Sequence, residues 1–119
     1  MPRAVFFTHL SPDLAGLLTQ HSPPNFDVTV HPSTLPNDEK IPLVQHADFI
    51  ILFGGTLSEP VLRSAQNLKL IQLVSAGYEH MDLSLCRELG IPVANNGGAN
   101  AIDVSEHALT LILGCYRRL

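Results

Sequence analysis

Three features of this 119-residue chain predict an α/β fold. Short β-rich runs alternate five times with helical patterns, and no repeat or long linker interrupts them. One run, Phe49-Ile-Ile-Leu-Phe53, is continuously apolar, as a central parallel strand covered on both faces needs to be. Glycines follow three of the strand runs, at Gly54-Gly55, Gly77 and Gly97-Gly98, where strands turn into their crossovers. Right-handed βαβ units of this kind build a parallel sheet between helices. The expected architecture is a flavodoxin-like three-layer sandwich with a five-stranded sheet of order 2-1-3-4-5.

The elements follow in order. Arg3 to Thr8 is rich in β-formers and reads as the first strand. Ser11-Pro12-Asp13 supplies an N-cap, a proline at the first helical position and an acid in the first turn. Leu14, Leu17 and Leu18 continue that helix, and His21-Ser-Pro-Pro ends it. Phe26, Val28 and Val30 alternate with polar residues, the pattern of an edge or half-buried strand. Residues 31 to 39 read as a polar connection and Ile41 to Ala47 as a short helix. After the strand at 49–53, Leu57 to Gln66 forms a helix capped by Thr56 or Ser58, and Leu68 to Ser75 a strand. Asp82 caps a helix running to Leu89, with Gly90 in the C-terminal position. Pro92 to Ala94 is a last strand, Asn95 to Asn100 a loop, and Ile102 to Leu119 a final helix.

Composition narrows the function. Hydrophobic residues make up 45% and charged ones 15%, a globular balance. The net charge of -4, without a Lys/Arg cluster, argues against nucleic acid, which needs a concentrated basic surface. No apolar run reaches the ~18 residues of a membrane span, and Met1 to Phe7 is too short and too soon polar for a signal peptide. Cys86 and Cys115 both fall in apolar, helix-like stretches, which predicts two buried thiols in a reducing compartment, the cytoplasm.

Ligands of open parallel sheets bind beyond the carboxyl ends of the strands. Those ends carry Thr8-His9, Gly54-Gly55-Thr56, Ser75-Ala76-Gly77 and Asn95-Asn96-Gly97-Gly98. Either these backbones approach a ligand and offer N–H groups to an anion, or they are simply tight turns. The glycines lack the spacing of a dinucleotide fingerprint or a P-loop. No nucleophile elbow occurs. The six histidines form no i,i+4 pair and have no cysteine partner, so no metal site is expected.

From Leu68 to Leu119 the chain reads LKLIQLVSAGYEHMDLSLCRELGIPVANNGGANAIDVSEHALTLILGCYRRL. Ala76-Gly77, Asp82, Gly90-Ile91-Pro92-Val93, Asn95, Asn100 and Val104-Ser105-Glu106-His107 stand in the order and spacing of a known signature. The stretch resembles the D-isomer-specific 2-hydroxyacid dehydrogenases, and the strand–helix succession of the N-terminal half is similar to theirs too. The resemblance implies that the backbone amides of Ala76 and Gly77 hold a substrate carboxylate. It implies that Asn100 lies near both substrate and nicotinamide, with Ala101 and Val104 on the cofactor side of the cleft. Glu106 would orient the helix start. The cofactor would be NAD or NADP and the substrate a small 2-hydroxy or 2-keto carboxylate.

The resemblance further implies that residues 1–101 are the substrate-binding (catalytic) domain and that 102–119 is the helix crossing to an NAD-binding domain absent from this chain. That domain would carry the catalytic arginine, glutamate and histidine, so this chain is expected to be inactive alone and to bind no cofactor tightly. Ser105, Asp103 and Tyr78-Glu79 depart from the family pattern. Leu52-Phe53-Gly54 has no cation where some members hold a second anionic group, which implies a small monocarboxylate without phosphate. The final helix is apolar almost all round and calls for a partner, either the NAD-binding domain or a second copy in a homodimer. The alternative function is a non-enzymatic dimerising or partner-binding module derived from the same family. A split enzyme completed by a separate nucleotide domain is a third reading.

Overall fold

The computed structural model describes residues 1–119. Its elements are β1 (Arg3–Thr8), α1 (Pro12–Thr19), β2 (Asp27–Pro32), α2 (Asn37–Val44) and β3 (Phe49–Phe53). They continue with α3 (Glu59–Ser64), β4 (Leu70–Leu73), α4 (Leu83–Leu89), β5 (Val93–Ala94) and α5 (Ala101–Tyr116). The five strands pair in parallel in the order β2-β1-β3-β4-β5, as the alternation predicts.

This order fixes the layers. The step from β1 to β2 runs one way along the sheet, and every later step runs the other way. With right-handed crossovers, α1 must lie on one face and α2, α3 and α4 on the opposite one. The core gathers on the second face. Val5, Phe7, Ile50, Leu52, Ile71 and Leu73 project from three strands onto Val44, Val61, Leu62, Leu85 and Cys86, all buried. Burying each of the large aliphatic side chains stabilises the fold by about 1.5–3 kcal/mol.

Two ends of one helix behave as their residues demand. Asp82 accepts the Leu85 N–H at 3.0 Å to start α4, and Gly90 ends it at φ 70°. At the amino edge of the sheet, the Asp48 carboxylate accepts the Arg3 N–H at 2.9 Å and pairs with Lys69 at 3.0 Å. The Arg3 hydrogen bond, and then Lys69, hold its pKa below the ordinary carboxylate value. This perturbed acid ties β1, β3 and β4 together at the end of the sheet opposite to the carboxyl ends of the strands.

Several elements differ from expectation. The second helix begins at Asn37, inside the expected polar connection, and carries Pro42 in its interior. Proline costs most in mid-helix. Here tertiary contacts outweigh that cost, because Asn37 and Lys40 in the first turn both bond the β3–α3 segment. The strand expected over Leu68 to Ser75 is trimmed to Leu70–Leu73, and the third helix to Glu59–Ser64. Phe49, Ile51 and Phe53 are only half-buried, since α1 alone lies on their face. A cavity of about 460 Å³ opens there, lined by Phe6, Leu18, Phe26, Phe49, Ile51 and Leu70.

The final helix stands apart. None of its residues is buried, and Ile112 is 64% exposed. The molecule consequently measures 55 × 33 × 24 Å with a radius of gyration of 17.1 Å, against about 13–14 Å for a compact domain of this length. The apolar surface read from the sequence is therefore bare. Cys115 is exposed for the same reason, which corrects the expectation of two buried thiols; only Cys86 is buried. Burial, aided by Asp82, pushes the Cys86 thiol pKa up and keeps it unreactive. In the native chain a water-soluble thiol reagent should label Cys115 rapidly and Cys86 only on unfolding. Mass spectrometry of the alkylated peptides checks this, and equal labelling of both would contradict it.

Candidate active site

The carboxyl ends of β1, β3 and β4 lie side by side, and the loops leaving them form one edge. Hydrogen bonds from His9 N to Phe53 O (3.1 Å) and from Val74 N to Leu52 O (3.0 Å) extend the ladder past the strands. The β4 loop is then pinned from both sides. Asn95 Nδ2 donates to Ala76 O at 2.8 Å, and Ser75 Oγ donates to Gly77 O at 2.9 Å. Asn96 N donates to Ser75 O at 3.0 Å, so the β5 loop runs beside it.

These bonds decide where the amides face. In a trans peptide the N–H points opposite to the C=O of the same unit. Asn95 draws the Ala76 carbonyl toward the β5 loop, so the Gly77 N–H points away from it. Neither the Ala76 nor the Gly77 N–H has an acceptor in the chain. Two adjacent free donors beyond a strand end suit a carboxylate. A hollow of about 300 Å³, lined by Tyr78, Leu83, Val93 and Asn95, lies on the β5 side of this loop. Glu79 competes for this ground: its Oε2 lies 2.7 Å from the position a Cβ on Gly77 would take.

Asn100 caps α5 through its backbone, whose carbonyl accepts from Val104 N at 3.0 Å, while its side-chain amide bonds nothing in the chain. Ala101 and Val104 follow one turn apart on the same exposed face. Ala76, Gly77 and Asn100 thus sit on two loops stapled together by Asn95, with Ala101 and Val104 on the helix that leaves the second loop. Ala101 is small, Val104 is apolar, and both are uncovered.

The β3 loop is shaped differently. Gly54 and Gly55 have φ of 83° and 77°, a region side chains avoid. A Cβ on Gly54 would also strike the His9 ring, 3.0 Å from Cγ. Beneath this loop lies Lys40, only 5% exposed, which reaches Thr56 O at 3.3 Å and lies 5.4 Å from the centre of the Phe7 ring. It has no carboxylate partner. Burial alone lowers its pKa from the ordinary 10.5.

The family model of the D-isomer specific 2-hydroxyacid dehydrogenase catalytic domain matches residues 4–110. The chain belongs to that family. Among these dehydrogenases it is 27% identical over 117 residues to a hydroxypyruvate reductase of Thermotoga maritima, covering 98% of this chain and 38% of that protein. It is 32% identical over 98 residues to a glycerate dehydrogenase of Hyphomicrobium methylovorum, covering 79% and 30%. The crystal structure of an Aquifex aeolicus D-lactate dehydrogenase with NAD and lactic acid superposes with a TM-score of 0.73 at 28% identity. That match covers 92% of this chain and 33% of that one. The chain therefore spans about a third of the length of these relatives, between 30% and 38%.

Within this dehydrogenase domain, the motif residues lie where the strand-end rule expects, but their supports were not visible in the sequence. Asn95 and Ser75 act on the β4 loop through contacts that only the fold creates. Lys40 was missed altogether. A lysine between a polar connection and a short helix gives no signal of burial, and only the fold brings it from α2 under the β3–α3 loop. Its pH effect has a definite sign. A lysine whose folded pKa is lowered holds fewer protons folded than unfolded between that pKa and 10.5. The charged form is penalised below that window, and stability rises with pH through it. Lys40→Met should therefore melt higher relative to wild type at neutral pH, with the advantage shrinking as pH rises toward 10.5. Thermal unfolding followed by circular dichroism across that range checks the trend; a gap constant with pH would contradict it.

Proposed function

We propose that residues 1–101 form the substrate-binding half of an NAD(P)-dependent D-2-hydroxyacid dehydrogenase, and that 102–119 is the helix by which the chain crosses to a nucleotide-binding domain. The observation that carries this reading is the pair of unpaired amides at Ala76 and Gly77, held outward by the bonds from Asn96 and Asn95 to the Ser75 and Ala76 carbonyls. They take the substrate carboxylate. The free amide of Asn100 bonds the oxygen on the second carbon, and Ala101 with Val104 lines the approach to the nicotinamide. The chemistry a bound NAD or NADP supplies is acceptance or donation of the hydride. The residues here bind and orient the acid. The groups that move the proton are expected on the second domain, so this chain by itself should give no turnover. The named activities of the relatives, on hydroxypyruvate and glycerate, support a small 2-hydroxy or 2-keto monocarboxylate. The cytoplasm, where Cys86 and Cys115 stay reduced, suits such an enzyme.

The bare apolar α5 also favours a second reading of its partner, another copy of this chain. Size-exclusion chromatography with light scattering separates the two: a monomer leaves α5 for the nucleotide-binding domain, and a dimer assigns it to self-association.

Titration of the ¹⁵N-labelled chain with D-lactate and D-glycerate should move the Ala76, Gly77 and Asn100 signals. No movement, or reproducible NADH oxidation by the pure chain, would overturn the proposal. Glu79→Gln removes a like charge beside the amides and should tighten carboxylate binding by about two- to five-fold, the range of an exposed charge pair. Unchanged affinity would mean the carboxylate binds elsewhere.

A further inference from the structure

His9 lies at the point where the sheet reverses direction. β1 has β2 on one side and β3 on the other, and the crevice outside the carboxyl ends at such a point is where open α/β sheets bind ligands. Its side chain is exposed yet held from three directions. Its backbone N–H and ring Nδ1 both reach the Phe53 carbonyl, at 3.1 and 2.8 Å. The ring packs edge-on against Phe53, centroids 4.8 Å apart at 70°. Gly54, at positive φ, leaves the ring room that any Cβ would take away. An exposed histidine normally keeps its rotamer freedom, and fixing it costs free energy.

The contact with Phe53 also sets the tautomer. A carbonyl only accepts, so Nδ1 carries the proton and neutral Nε2 presents a lone pair. Nε2 has no partner in the chain. An acceptor calls for a donor, and the donor available on a small hydroxy acid, besides the reacting centre, is a further hydroxyl. The two sites share one edge: β1 and β4 are two strand spacings apart, about 10 Å, and the His9 ring leans from β1 onto the Phe53 carbonyl of β3, on the way to the β4 loop.

We propose that His9 is a specificity-determining residue, whose Nε2 accepts a hydrogen bond from a hydroxyl on the third carbon of the acid held at Ala76 and Gly77. The assignment rests on the substrate-site reading above and adds the substrate class: three-carbon acids hydroxylated at carbon three, in preference to those ending in a methyl group.

The test titrates the ¹⁵N-labelled chain with D-glycerate and with D-lactate, reading the Ala76 and Gly77 amides. Wild type should bind D-glycerate roughly three- to ten-fold more tightly, the worth of one neutral hydrogen bond. His9→Phe should bring the ratio to about one without changing D-lactate affinity, and His9→Gln, which keeps an acceptor, should restore part of it. An unchanged ratio in His9→Phe overturns the role of His9 while leaving the carboxylate site intact. Failure of either acid to move the two amides in wild type overturns both. Independently of any variant, the His9 Nε2 resonance should shift with D-glycerate and not with D-lactate; an equal response to both, or none to either, overturns the assignment.

Discussion

Parallel pairing of β1 with strands on both of its sides is the constraint from which the rest of the molecule follows. Once β2 lies on one flank and β3 on the other, handedness sends α1 to one face and α2, α3 and α4 to the opposite face. That asymmetry explains why the core lies almost wholly on one side of the sheet and why the apolar strand β3 is only half covered on the other. It also opens the crevice at the carboxyl ends of β1 and β3, beside the free amides of the β4 loop. Core, open face and candidate site are thus three results of one topological choice.

The division of polar groups between the two ends of the sheet is instructive. At the amino edge, Asp48 has a partner on each oxygen, the Arg3 N–H and Lys69, so its lowered pKa marks structure. At the carboxyl edge, carbonyls are satisfied and donors are not: the Ala76 and Gly77 oxygens are bonded while their N–H groups are free. A perturbed titration alone points to the amino edge. Unfilled hydrogen-bonding capacity, placed by a rigid scaffold, is the better guide here.

The fold was legible because its signals are local and periodic. Continuous apolarity marks β3, alternation marks β2, and Asp82 with Gly90 brackets α4. What escaped is what depends on distant partners. Asn37 and Lys40 start α2 early because Ser58, which donates to Asn37, and Thr56, which accepts from Lys40, lie about twenty residues on. Ala76 and Gly77 could be singled out by their family pattern, but the Asn95 staple crosses 19 positions and the His9–Phe53 lock crosses 44. Cys115 was misread for the opposite reason. An apolar helix ordinarily finds cover, and here the expected cover is not provided by the sheet it follows.

The isolation of α5 carries a thermodynamic consequence. Helices of about this length are marginal in water when they have only their own propensity for support. With no buried residue in α5, its sixteen positions draw little of their order from the domain. Whatever surface receives it must therefore supply both the contact and part of the folding, and its apparent affinity is reduced by the ordering free energy. Assembly of this chain with a partner is then a coupled folding reaction, with a larger negative heat-capacity change and a stronger temperature dependence than the docking of two rigid bodies would have.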